Sequence, residues 1–130
     1  MYSIRNVKTE NIKMSCLFNS MSHFLPHSSN ELRQQICNYL EANKPIMESM
    51  ETKQILAMEK PNYILSMRQS STWGGAIEIQ AACNIWNLKI VVKNIRSRPV
   101  SNIEFIPLHK NPSKTIHISW NGGHYEPIRN

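Results

Sequence analysis

The sequence predicts an α+β domain in which a small, mostly antiparallel sheet packs against helices. Three observations predict it. Apolar residues recur at helical spacing through the earlier part of the chain. The later part turns β-branched and partly alternating, in LKIVVKNI (88–95), IEFIPL (103–108) and TIHISW (115–120). Pro, Asn and Ser breaks separate those runs, and Asn121-Gly122-Gly123 is a strong turn signal. Helices first and strands last is the order of a segregated α+β arrangement.

Taken in order, residues 1–14 are polar and irregular. Ser15 is placed to cap a helix from Cys16 to about Leu25, stopped by Pro26. HSSNELRQQICNYLEANKP reads as a second helix, capped by Ser29 or Asn30, with Leu32, Ile36, Tyr39 and Leu40 on one face and Pro45 beyond its end. Residues 46–69 read as two short helices broken near Pro61-Asn62. STWGG is a loop leading into GAIEIQAACNIWNL, where Ile77, Ala81 and Ile85 recur at helical spacing. HYEPI makes a last short strand, and Trp120 alternates with Ile116 and Ile118, which turns it toward the helices. No internal repeat or low-complexity linker appears, so residues 1–130 read as one domain.

A chain of 130 residues with 41% hydrophobic content can bury a core without disulfides or metals. No apolar run reaches membrane-spanning length, and MYSIRNVKTE lacks the apolar stretch of a secretory signal. The expectation is a soluble intracellular monomer. Cys16, Cys37 and Cys83 lie far apart with no CxxC pair, against a disulfide framework or a structural zinc site. His23, His27, His109 and His117 share no ligand spacing with them, so neither metal nor cofactor is expected. The net charge of +6 draws on Lys89, Lys93, Arg96, Arg98, Lys110 and Lys114, which form no dense block. Without a reader motif or an interleaved aromatic platform, that charge does not make nucleic-acid binding the expected function.

One constellation carries chemistry. Cys16 starts a helix, where the positive end of the dipole favours a thiolate. Taken alone, it reads first as a small buried apolar side chain, and only the downstream stretches reverse that order. Far downstream, His124 follows the Gly-Gly turn and Glu126 comes two residues later. Alternate residues of a strand share a face, so a carboxylate there can hold the imidazole in the orientation that takes a thiol proton. Cys37 and Cys83 lie on apolar helix faces and read as structural, as does Glu78 in the first turn of its helix.

Three stretches in this order resemble the ovarian-tumour (OTU) domain cysteine proteases, most of them deubiquitinases. SCLFNSM (15–21) resembles the nucleophile helix, WGGAIEIQAAC (73–83) the Trp-Gly-Gly…Glu…Ala block, and GGHYEPI (122–128) the His-aromatic-acid ending. Together they span Ser15 to Ile128. The resemblance implies a papain-like OTU fold with Cys16 as nucleophile, His124 as general base and Glu126 as the residue that orients it. It implies an oxyanion hole from the backbone of Lys13, Met14, Ser15 and Cys16, and a channel for a ubiquitin tail bordered by Trp73, Gly74, Gly75 and Tyr125. Glycines let a second backbone approach closely, as a diglycine tail requires. The chain departs from the family where Lys13-Met14 replaces an acid and a glycine, and where Glu126 is longer than the usual Asp or Asn.

What the resemblance implies is a thiol-dependent deubiquitinase that cleaves after the C-terminal glycine of ubiquitin or a ubiquitin-like modifier. Its alternatives are a catalytically impaired ubiquitin-binding module and a viral polyprotein-processing cysteine protease. A compact chain of this kind fits a small viral or effector protein, or a fragment of a larger one. Because ubiquitin's recognition face is basic, acidic residues are expected around the groove, with Glu78, Glu104 and Glu126 as the candidates.

Overall fold

A computed structural model describes residues 14–129. In chain order it contains α1 (Cys16–Ser22), α2 (Ser29–Glu41), α3 (Thr52–Glu59), α4 (Tyr63–Met67), α5 (Ala76–Trp86), β1 (Leu88–Asn94), β2 (Ser101–Phe105), β3 (Lys114–Trp120) and β4 (Tyr125–Pro127). The expected α+β class holds. The sheet runs β2-β1-β3-β4, with both edge pairings antiparallel and the central β1–β3 pair parallel.

Local chemistry explains the boundaries. At α2 the cap is Ser28, one residue before the expected Ser29 or Asn30. Its hydroxyl accepts from the Glu31 amide at 3.2 Å while the Glu31 carboxylate accepts from the Ser28 amide at 3.3 Å. This reciprocal pair needs an acid three residues on, which Ser28 has and Ser29 lacks. Helix α1 ends at Ser22, earlier than the expected Leu25, because the chain already turns at His23-Phe24, where the Phe24 amide donates to the Met21 carbonyl at 3.0 Å, ahead of Pro26. Asn87 closes α5 in the left-handed conformation at φ 54°, which asparagine tolerates better than most residues.

The core lies between helices and sheet. Leu17, Phe18 and Met21 of α1 meet Leu32, Ile36, Cys37 and Leu40 of α2. From the sheet, Leu88, Ile90 and Val92 alternate inward on β1, and Ile116 and Ile118 do so on β3. Trp120 packs on the edge of this cluster as its alternation predicts. In α5 the expected stripe of Ile77, Ala81 and Ile85 is only partly right. Ile79, Ala82 and Cys83 are fully buried beside Ala81, while Ile77 and Ile85 are half-buried at the margin. The helix is apolar nearly all round, so spacing alone does not select its inner face.

The fold therefore sets α1, carrying the first cysteine, against β4, the last strand. Strand β4 is an edge: its antiparallel register to β3 (Ser119 opposite Glu126, Trp120 opposite Tyr125) uses one side of its backbone and leaves the other free.

Candidate active site

Cys16 opens α1 and is 3% exposed. Its sulfur accepts a hydrogen bond from the Tyr125 amide at 3.3 Å, along the free side of β4. The ends of the described chain thus meet at this sulfur. His124 precedes Tyr125 directly, and its Nε2 lies 3.4 Å from Glu126 Oε1. With Nε2 facing the carboxylate, Nδ1 is the ring nitrogen left to exchange a proton with a thiol. Strand alternation explains the pair: His124 and Glu126 project to one side while Tyr125 projects to the other, where its ring leans on Trp120 with centroids 6.4 Å apart. Burial raises the Tyr125 phenol above its ordinary value.

The turn that delivers His124 is tightly built. Gly122 has φ +100°, and a Cβ there would fall 2.7 Å from Cδ of Arg96, whose side chain lies over the turn. The Gly123 amide donates to Asn121 Oδ1 at 3.0 Å.

Ser15 does not cap α1 with its side chain. Its hydroxyl donates instead to the Ser70 carbonyl at 3.2 Å and accepts from Arg33 Nη2 at 3.1 Å. Of the four residues expected to shape an oxyanion hole, Lys13 lies outside the described residues. Met14 is half-buried and helical, and Ser15 is the single turn residue that joins it to Cys16 at the start of α1.

The Trp-Gly-Gly stretch divides in two. Gly74 packs inward: a Cβ there would sit 2.8 Å from Leu17 Cδ2 and 2.9 Å from Phe18 Cζ, so its missing side chain is already used by the core. Gly75 faces open space, with nothing within 4 Å of such an atom. Trp73 is 44% exposed. Trp73, Gly74 and Gly75, with Tyr63, Thr72 and Lys60, line a cleft of about 570 Å³ that neither Cys16 nor His124 borders.

The acidic candidates separate as well. Glu104 pairs with Lys89 across the opposite edge of the sheet, and only Glu126 stands beside His124. Glu78 is buried under the cleft, accepting from the Gly75 amide at 2.8 Å and the Tyr63 hydroxyl at 2.7 Å. Burial holds the Glu78 carboxyl above its usual range, and burial with the adjacent carboxylate pushes the Tyr63 phenol far up. Sequence reasoning missed Arg33, which is 1% exposed, and Tyr63. A signal for Arg33 was present: it shares the i, i+3, i+4, i+7 face of Ile36, Cys37 and Leu40.

Comparison with known proteins decides the family. The family described as OTU-like cysteine protease matches residues 15–125. This chain belongs to it. Among curated relatives, the OTU-family match to ovarian tumor domain-containing deubiquitinating enzyme 9 of Arabidopsis thaliana is 29% identical over 119 residues, 88% of this chain. The chain spans 31–33% of the length of the curated relatives it matches. Among solved structures, an OTU domain in complex with ubiquitin is 28% identical with a TM-score of 0.67, covering 87% of this chain and 62% of that one. An OTU deubiquitinase from Wolbachia pipientis wMel shares the fold with a TM-score of 0.65 at 19% identity, covering 91% and 83%. The fold of this OTU domain is thus shared with solved OTU structures at TM-scores of 0.65 and 0.67.

Proposed function

We propose that this OTU domain is a thiol-dependent deubiquitinase, cleaving the isopeptide bond after the C-terminal glycine of ubiquitin or a ubiquitin-like modifier. The observation that carries the reading is the 3.3 Å bond from the Tyr125 amide to the Cys16 sulfur, because Tyr125 is the residue between His124 and Glu126, whose side chains pair with each other. In this reading Glu126 orients the imidazole, His124 takes the Cys16 proton, and the thiolate attacks the isopeptide carbonyl. The imidazolium then protonates the departing lysine amine, and water resolves the thioester with His124 as base. The Cys16 amide and the backbone of residues 13–15 serve the oxyanion. Trp73, Gly74, Gly75 and Tyr125 belong to the path of the modifier's tail, with the Cβ side of Gly74 turned to the core. No cofactor takes part. The curated relatives named as ubiquitin thioesterases and the solved OTU–ubiquitin complex support ubiquitin as partner. A thiolate nucleophile works in a reducing compartment, so the site of action is inside a cell.

The test is ubiquitin carrying an electrophile in place of its terminal carboxylate. Covalent capture by the wild type, lost in Cys16→Ala, is the expected result, together with cleavage of di-ubiquitin. Reversible binding without capture would replace the enzyme by a binding module. Cleavage of precursor junctions but not di-ubiquitin would make it a processing protease.

A further inference from the structure

Arg33 is a cation fully enclosed in the protein, and such a group is expensive to bury without firm partners. Among the described residues no carboxylate lies within ion-pair distance of it; buried Glu78 acts on its charge only from farther off. Nη1 donates to the Met67 carbonyl at 2.8 Å and lies 3.8 Å from the Met67 sulfur, while Nη2 donates to the Ser15 hydroxyl at 3.1 Å. The guanidinium carbon sits 4.3 Å from the centre of the Phe18 ring, a face-on contact that favours a cation. A hydrophobic residue would fill the same volume with less desolvation, so packing alone does not account for an arginine here.

What these contacts have in common is the segment around the sulfur. Ser15 is bonded covalently to Cys16. Phe18 lies on the same helix. Met67 and Ser70 belong to the segment that leads into Trp73-Gly74, and the Ser70 carbonyl accepts from the Ser15 hydroxyl at 3.2 Å. The planar fork of an arginine reaches two acceptors at a fixed separation, which the single ammonium of a lysine does not. The Ser15 hydroxyl has been drawn away from its expected capping role to complete this strut.

We infer that Arg33 is a positioning residue: through Ser15 and Met67 it locks the peptide preceding Cys16, and so the attack angle of the sulfur, to the loop that leads into Trp73-Gly74. This inference rests on Cys16 being the nucleophile. It assigns Arg33 no contact with substrate.

The experiment compares wild type, Ser15→Ala, Arg33→Lys and the double variant, with Arg33→Gln added where it folds. Initial rates on a fluorogenic ubiquitin C-terminal amide give kcat and KM separately. Iodoacetamide labelling, read by peptide mass spectrometry, follows the three cysteines in the folded protein. Ser15→Ala is expected to lower kcat by roughly tenfold to a hundredfold, the scale of a misplacement of about 1 Å, with KM little changed. Labelling of Cys16 should rise as its loop loosens, while Cys37 and Cys83 stay protected. The double variant should be no slower than the slower single, because both substitutions break one strut. Ser15→Ala with both kcat and Cys16 labelling within about twofold of wild type overturns the inference, as does multiplication of the two single losses. A rise in labelling at all three cysteines also overturns it, since that is general loosening. If wild type neither cleaves nor captures ubiquitin, the functional reading fails by itself, and the labelling comparison still decides the role of Arg33.

Discussion

The amide of Tyr125 donates to the sulfur of Cys16 across 109 positions of sequence. An edge strand ordinarily leaves such an N–H to water; here it is spent on the thiol, and the residue just before it in sequence is His124. His124→Ala should therefore reduce kcat by about 10²- to 10⁴-fold, the usual scale of a lost acid–base group. Far-UV circular dichroism should stay unchanged, since the ring is partly exposed and outside the core. Turnover within a few-fold of wild type would remove His124 from the chemistry.

Glu126 reaches His124 Nε2 from an exposed position, its side chain 68% accessible. Water screens such a pair, so its effect falls well short of the ~10⁴ loss seen when a buried triad carboxylate becomes an amide. Glu126→Gln should lower kcat by about tenfold, and Glu126→Ala by somewhat more. Steady-state kinetics at low and high salt checks both.

Gly74 and Gly75 should part company on substitution. Gly74→Ala drives a methyl group into Leu17 and Phe18, where overpacking costs about 1–3 kcal/mol, measured by urea unfolding. Gly75→Ala meets nothing and should leave stability within about 0.5 kcal/mol. If Gly75 borders the tail path, that variant raises KM for a ubiquitin substrate without changing the unfolding midpoint.

Glu78 gives a pH signature. Burial raises its carboxyl above the unfolded value of 4.5, so the folded chain holds that proton more tightly than the unfolded one does. Its contribution to stability is complete below 4.5 and is lost as pH climbs through the raised folded value. Glu78→Gln never ionises. Its stability relative to wild type should increase with pH above 4.5, which paired denaturation curves from about pH 4 to about pH 8 will read out. A difference independent of pH would show that the carboxyl is not raised.

Burial also lifts the Cys37 thiol to about 11 and the Cys83 thiol to about 12. Both should resist iodoacetamide near neutral pH in the folded protein, leaving Cys16 as the labelled thiol. Their stabilising effect is present below 9.0, where the unfolded thiols are also neutral, and is lost as pH rises through about 11 and about 12. Labelling followed by mass spectrometry tests the first statement and alkaline unfolding the second.

Much of this was legible from residue patterns, and the exceptions have physical causes. The strands were readable because Ile116 and Ile118 alternate with polar neighbours, and the break at Pro61-Asn62 because proline and a left-handed Asn62 interrupt the helix. The inner face of α5 was not, because Ile77, Ile79, Ala81, Ala82, Cys83 and Ile85 leave too little polarity to define one side. Cys16, His124 and Glu126 were singled out through spacing and resemblance. The inward packing of Gly74 was not legible, since a glycine that admits a neighbouring phenyl ring looks the same in sequence as one that faces open space. Arg33 was overlooked because its hydrogen bonds close a loop with Met67, 34 positions away, and no local rule foresees such a partner.

Strand β4 is three residues long and bonded along a single flank. Short peripheral segments of this kind open well before a protein melts as a whole. Fraying at Tyr125–Pro127 would carry the imidazole off and bare the thiol, so this domain should lose activity, and gain sensitivity to oxidants, at temperatures where Ile90, Val92 and Ile116 still hold the interior together.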